Sequence, residues 1–367
     1  HVVTLAAERG GLSLVENSAF TLEAFTTYLD HLTPSGVLAI KLYDEPTLTR
    51  ALATAVAVLG NRGLTDAEAL THIISLLDTR VDPPIPLLLV RNTAYTREDA
   101  LSIGAVAREV GFSPLFLPGA VAQPPLDAVV AGTQSLDTVI AAAESNLAPV
   151  SDDRPFFYHF DFDLPLSLQR LLWLLLALIG VGSLAVGFYT WRVNGSDPTR
   201  WSPIYFAALG AGFMAVEIAL LQQTRLFIGH PAVTVAAVLG VLLIGGGLGS
   251  LLLAQTDDGG LRGGPLFGVI VLVVAWVIFW PPLREAALSW ALPGRIALVG
   301  VAVLPLALCM GAPFPTGLRW VGASDVRLVA LAWAVNGVMG VAGAAGALAL
   351  AMLFGYRSVM VAGALLY

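Results

Sequence analysis

Apolar blocks and polar breaks alternate through the first 162 positions. HVVTLAA at 1–7 reads as a buried strand. In FTLEAFTTYLDHL at 20–32, Phe20, Phe25, Tyr28, Leu29 and Leu32 fall near one face of a helix. TPSG at 33–36 ends it, and GVLAIKLY at 36–43 is a second buried strand. EPTLTRALATAVAVLG at 45–60 is a helix with Gly60 as its C-cap. IPLLLVRN at 85–92 is a third strand. TREDALSIGAVAREVG at 96–111 opens with a capping box, Thr96 and Asp99, and ends at Gly111. SPLFLPG at 113–119 gives a fourth strand. Such alternation predicts βαβ units and a parallel or mixed sheet covered on both faces. Sheets of that kind bind ligands at strand carboxyl ends. Glu16, Lys41 and Asp44 fall near predicted strand or loop ends. No G-x-G-x-x-G loop occurs in this half, and GG at 10–11 is too short a signal; a nucleotide loop would lie upstream of His1.

From position 163 onward the pattern changes to long apolar runs. A helix of about 20 apolar residues spans a bilayer. Six runs qualify: Leu171–Trp191, Pro203–Leu221, Val233–Leu253, Leu266–Trp280, Ile296–Met310 and Leu328–Phe354, with a truncated seventh from near Val359. Trp191, Trp201, Trp280 and Trp320 sit near predicted ends, as an aromatic belt requires. CMGAPFPTGLRW at 309–320, with two prolines and two glycines, must break a helix, as a re-entrant turn or as a loop. Gly337, Gly340, Gly343 and Gly346, and the cluster Gly245, Gly246, Gly247 and Gly249, predict close helix packing.

Composition sharpens this division. The chain is 57% hydrophobic and 12% charged, against roughly 25% charged in soluble domains; its mean hydropathy is +0.79. The net charge of −7 excludes a nucleic-acid partner. One cysteine, Cys309, excludes an internal disulfide and a cysteine-rich metal site, and no metal is predicted. HVVTLAA and VMVAGALLY both look like interrupted runs, so a longer protein is expected. Arginines fall on both sides of the bundle and leave the orientation open; a cytoplasmic soluble half and a multi-pass inner-membrane location are expected.

Glu217, deep in the second run, is the sharpest polar residue. A carboxylate at that depth costs roughly 2.5–3.5 kcal/mol on insertion scales and calls for a partner inside the bundle. Arg225 is eight residues on, about 12 Å along the axis, too far for direct pairing. Gln222, Gln223 and Thr224 extend a polar track, and Asn336 in the sixth run is a candidate partner. The group reads either as a structural clamp or as a transport or catalytic site. In VSDDRPFFYHF at 150–160, Asp152, Asp153, Arg154 and Pro155 read as a rigid junction between the halves, with Phe156, Phe157 and Tyr158 anchoring at the bilayer interface.

ENSAFTLEAFTTYLDHLTPSGVLAI, VSDDRPFFYHF, GFMAVEIALLQQ, GHPAVTVAAVL, MGAPFPTGLR and AWAVNGVMGVAG occur in this order, and with them nearly the whole chain resembles the membrane-fused spermidine synthase-like proteins of bacteria. The resemblance implies an S-adenosylmethionine-methyltransferase-like α/β domain at 1–162, N-terminally incomplete, and a polytopic bundle of six to seven helices at 163–367. It implies S-adenosylmethionine or its decarboxylated form as cofactor, and transfer of an aminopropyl or related group to an amine. In the family an aspartate after strand four takes the proton. Leu5, Ala6 and Ala7 stand at the matching place here; Glu8 is the nearest carboxylate, and Glu16 is the other candidate. Alternatives are an inactive subunit or scaffold, with other membrane subunits or a second copy as partners besides the bilayer, and a transporter-like bundle regulated by the soluble domain.

Overall fold

The computed structural model describes residues 13–194, 198–253 and 263–367. The strand expected at 1–7, the glycine pair at 10–11 and Glu8 lie outside the described residues. The chain divides into two compact units, His1–Leu166 and Ser167–Tyr367.

The first unit holds four strands, β1 (Val37–Lys41), β2 (Ile73–Asp78), β3 (Ile85–Arg91) and β4 (Phe112–Phe116), in one sheet of order β1-β3-β2-β4. Its α-helices among the described residues are α1 (Leu22–Asp30), α2 (Glu45–Gly60), α3 (Asp66–Leu70), α4 (Arg97–Glu109), α5 (Leu126–Val130) and α6 (Leu136–Ala141). Every neighbouring pair is antiparallel, which corrects the expected parallel or mixed pairing. The physical reason lies in how the crossovers interlock. β1 and β2 run the same way, since each is antiparallel to β3, and α2 and α3 connect them. β3 and β4 likewise run together and are connected by α4. Each crossover skips one place, and the other pair's strand fills it. Alternation of strand and helix is therefore real, but it does not reveal which strand fills the gap.

The sheet is covered on both faces. Leu88 and Val90 enter a core with Phe25, Leu29, Ala51, Leu52 and Phe157. Leu87 and Leu89, one residue out of phase, pack with Ile74, Leu76, Ala100 and Leu117 on the other face. β2 itself was missed by periodicity. Its signal, IISLL at 73–77, is four apolar residues around Ser75 with no alternation, as expected of a strand buried on both sides.

Local chemistry sets the helix ends. Thr96 and Asp99 form the expected reciprocal capping box, and Gly111 adopts the left-handed backbone that closes α4. Asp44 and Thr47 start α2 the same way. Gly60 is the last helical residue of α2 rather than its cap; Asn61 caps, and Gly63 takes the left-handed turn.

The second unit contains α7 (Leu166–Asn194, beginning at the unit boundary), α8 (Ser202–Ile228), α9 (Pro231–Leu252), α10 (Gly263–Ala286), α11 (Leu292–Gly311), α12 (Pro313–Ser324), α13 (Arg327–Phe354) and α14 (Tyr356–Leu366). Among the described residues six stretches are long and apolar enough to cross a membrane, with α11 and α12 counted as one, so this is a multi-pass membrane protein. The break expected in MGAPFPTG is confined to Ala312: α11 ends at Gly311 and α12 starts at Pro313, where the missing N–H belongs to a first turn that has no intrahelical acceptor. It is neither a loop nor a re-entrant turn.

The bundle centres on α8, which packs against α13 and α14, while α9 packs against α11. Glycine makes both contacts close. A Cβ at Gly343 would lie 2.6 Å from Ala211 Cα, and one at Gly212 would lie 2.8 Å from the Gly363 carbonyl oxygen. A Cβ at Gly245 would lie 2.6 Å from Ala307 Cβ. Gly337, Gly346 and Gly247 have open space instead. A three-residue spacing turns by about 60° per step on a 3.6-residue helix. Gly337 and Gly346 therefore face opposite ways, and the series cannot line one contact.

Candidate functional site

The carboxyl ends of β1 and β2 lie at the same end of the sheet, because Lys41 is opposite Leu87 and Asp78 is opposite Ile85 on β3. Lys41 Nζ reaches Asp78 Oδ2 at 3.3 Å. Arg80 grips the same carboxylate twice, Nε to Oδ1 at 2.8 Å and Nη2 to Oδ2 at 2.9 Å, and lies over the Phe112 ring. Asp78 is buried. The Arg80 guanidinium holds its carboxyl well below the usual carboxylate range, against the opposing effect of burial, with Lys41 adding to the downward pull. A group depressed in the folded state contributes stability above its unfolded pKa of about 4, and that stability is lost as pH falls through the folded value. We expect the unfolding midpoint to drop as the pH falls below about 4, and Asp78→Asn to flatten that part of the profile; thermal unfolding monitored against pH checks it.

Beyond Lys41 the chain presents Tyr43, which is 64% exposed, and Asp44. Tyr43 meets Tyr158 edge-on at 6.1 Å between centroids. Asn17 Nδ2 donates to the Tyr158 hydroxyl at 3.3 Å, and Asn17 N donates to the Pro155 carbonyl at 2.7 Å. Burial pushes the Tyr158 phenol up, as do the neighbouring Tyr43 and Asp44, against the Asn17 bond. Glu16 is half-buried in the extended segment that carries Asn17. Two tyrosines and Asp44 thus gather at one strand end, with Glu16 adjacent in the chain to Asn17, which bonds Tyr158. Sequence reasoning singled out Glu16, Lys41 and Asp44 there but missed Tyr43 and Tyr158, because Tyr158 arrives from more than 100 residues away.

The junction segment belongs to the first unit. Thr21 Oγ1 donates to Asp152 Oδ1 at 2.7 Å, Asp152 N donates to Glu23 Oε2 at 2.9 Å, and Leu22 N donates to the Val150 carbonyl at 2.9 Å. Arg154 N closes a turn onto the Ser151 carbonyl, and Asp153 stands within that turn, half-buried. Pro155, Phe156 and Phe157 are buried, and Phe157 stacks on Phe20 at 4.4 Å. This corrects the expected bilayer anchoring of Phe156 and Phe157: their rings gain more contact in a formed core, and Tyr158 is committed to Asn17. Arg50 of α2 fastens the segment. It is 1% exposed and donates to the carbonyls of Phe156, Phe157 and Asn146, with the Phe160 ring 4.5 Å below its guanidinium. Burial, then the nearby Arg154, pull its pKa down to about 9, which leaves it cationic at neutral pH.

In the second unit the predicted partners separate. Asn336 Nδ2 donates to the Phe206 carbonyl at 3.2 Å, not to Glu217. Gly210 of α8 lets the α13 backbone approach closely at Asn336, where the amide is committed. Glu217, two turns after Gly210 and near the middle of α8, is half-buried and holds no hydrogen bond or ion pair among the described residues. Gln222 is half-buried on α8 as well, and Arg225 lies in its last turn. The neighbouring Gln223 accepts from Trp276 Nε1 at 2.8 Å. Trp191 and Trp201 are exposed as a belt requires, whereas Trp280 is 4% exposed, inside the bundle. Cys309 packs on Gly268.

No family model, curated protein or solved structure matches this chain.

Proposed function

We propose that the protein is a membrane-anchored, spermidine synthase-like transferase whose α/β unit uses an S-adenosyl-type nucleotide to alkylate an amine. The observation that carries this reading is the cluster of Tyr43, Tyr158 and Asp44 at the carboxyl end of β1, with Glu16 next to the Asn17 that bonds Tyr158. Aromatic faces and carboxylates together attract a protonated amine in a way neither does alone. The ordered sequence motifs support it. In the proposed step the amine nitrogen forms a bond to the carbon attached to sulfur, the C–S bond breaks, and its electron pair stays on the former sulfonium. The proton lost by nitrogen passes to a carboxylate of the cluster. Calorimetry on the full-length protein should show heat with S-adenosylmethionine or its decarboxylated form. Silence with both nucleotides would sink the reading.

A second reading, a scaffold subunit of a membrane complex, is favoured by α7. None of its most apolar window is buried, and Trp173, Val181 and Leu184 are each at least 70% exposed. Co-purification of a stoichiometric second protein with an inert nucleotide site would favour it.

A further inference from the structure

One end of the bundle carries a polar arrangement that the transferase reading does not use. Trp276 and Trp280 of α10 stack at 4.4 Å, and Phe227 of α8 meets Trp280 edge-on at 5.4 Å. Trp276 Nε1 is satisfied by Gln223 Oε1, and Gln223 Nε2 approaches Met360 Sδ of α14 at 4.0 Å. Trp280 Nε1 differs: it is buried and has no hydrogen-bond partner among the described residues. An indole N–H shut away without an acceptor is a standing cost, so buried tryptophans ordinarily find one.

Arginines occupy the same helix ends. Arg284 lies one turn beyond Trp280, on the same face of α10. Arg357 lies three residues before Met360 on α14. Arg295 at the start of α11 donates to the carbonyls of Phe227, Leu288 and Trp290, which fixes its charge 5.8 Å from the Phe227 ring centroid. On the facing ends of these helices and in their turns, at 225–230, 280–295 and 354–360, Glu285 is the one carboxylate. A guanidinium has five N–H groups, so arginines already engaged elsewhere can still donate.

We propose that this arginine-rimmed, tryptophan-floored end of the bundle binds a phosphate group, with Trp280 Nε1 as the inward donor and Arg284, Arg295 and Arg357 as the cationic rim. In a membrane the phosphate comes from an anionic lipid headgroup or from solution. Positive charge between helix ends at headgroup level suits the lipid.

The test is the thermal midpoint of the full-length protein in phosphatidylcholine nanodiscs, with and without phosphatidylglycerol, and separately with inorganic phosphate. We expect a saturable rise of several degrees with phosphatidylglycerol. Trp280→Phe should erase most of the rise, while leaving the midpoint in pure phosphatidylcholine unchanged or higher, since an unsatisfied donor has been removed. Arg284→Gln combined with Arg357→Gln should also erase it. An equal rise with inorganic phosphate would keep the site and assign its ligand to solution. No rise with either, or a rise undiminished in both variants, would overturn the proposal.

Discussion

Gly249→Ala is expected to cost about 3 kcal/mol or more in the folding of the membrane bundle, as overpacking that cannot relax. A Cβ there would collide with the carbonyl oxygen of Leu308, and the carbonyl carbon would be only 2.8 Å away. Both atoms are backbone of α11, so no rotamer change makes room. The α9–α11 contact would have to open along its length. Gly311→Ala meets the backbone of Gly246 in the same contact and should behave alike. Gly247→Ala and Gly346→Ala, which meet nothing within 4 Å, should be neutral or slightly stabilising through helix propensity. Equilibrium unfolding in mixed detergent micelles compares the four. A Gly249→Ala protein as stable as Gly247→Ala would show that these helices are not in close contact.

Arg50→Ala is expected to destabilise the first unit by about 3 kcal/mol. Three carbonyls, those of Asn146, Phe156 and Phe157, lose their donor. At about 1 kcal/mol per lost bond the sum is near that figure. A cavity under Phe160 adds to the loss, and relief of a buried charge subtracts from it. Arg50→Lys tests the geometry: one ammonium at the end of a flexible stem cannot span carbonyls from two segments and also stack on a ring, so it should recover less than half. Chemical denaturation followed by far-ultraviolet circular dichroism reads the change. Because Asn146 through Phe160 is held at this point, protease sensitivity within 146–160 should rise in step. A stable Arg50→Ala protein with an uncleaved junction would contradict the assignment.

Legibility in the sequence followed the range of the interaction. The α4 capping box at Thr96 and Asp99 and its closing Gly111 are contacts between residues a few positions apart, so they could be read directly. The apolar length of the membrane helices is likewise a local sum. Tyr158, Arg50 and Trp280 owe their importance to partners brought in from elsewhere, and their residue types alone point the wrong way. An aromatic run before a membrane helix resembles an interfacial anchor, and a lone arginine in an apolar helix resembles a snorkelling one.

By itself the sequence determined a charged half of alternating strands and helices, with helices within 20–32, 45–60 and 96–111, and an apolar half built to cross a bilayer several times, because hydrophobic period and run length are properties of neighbouring residues. Only the tertiary structure decided that β3 slips antiparallel between β1 and β2, and that Asp152 to Phe160 folds back onto Arg50. It likewise decided that Asn336 serves the Phe206 carbonyl while Glu217 stands unpartnered among the described residues. Those outcomes depend on which distant surfaces exclude water and satisfy backbone groups together, a choice settled by packing in three dimensions.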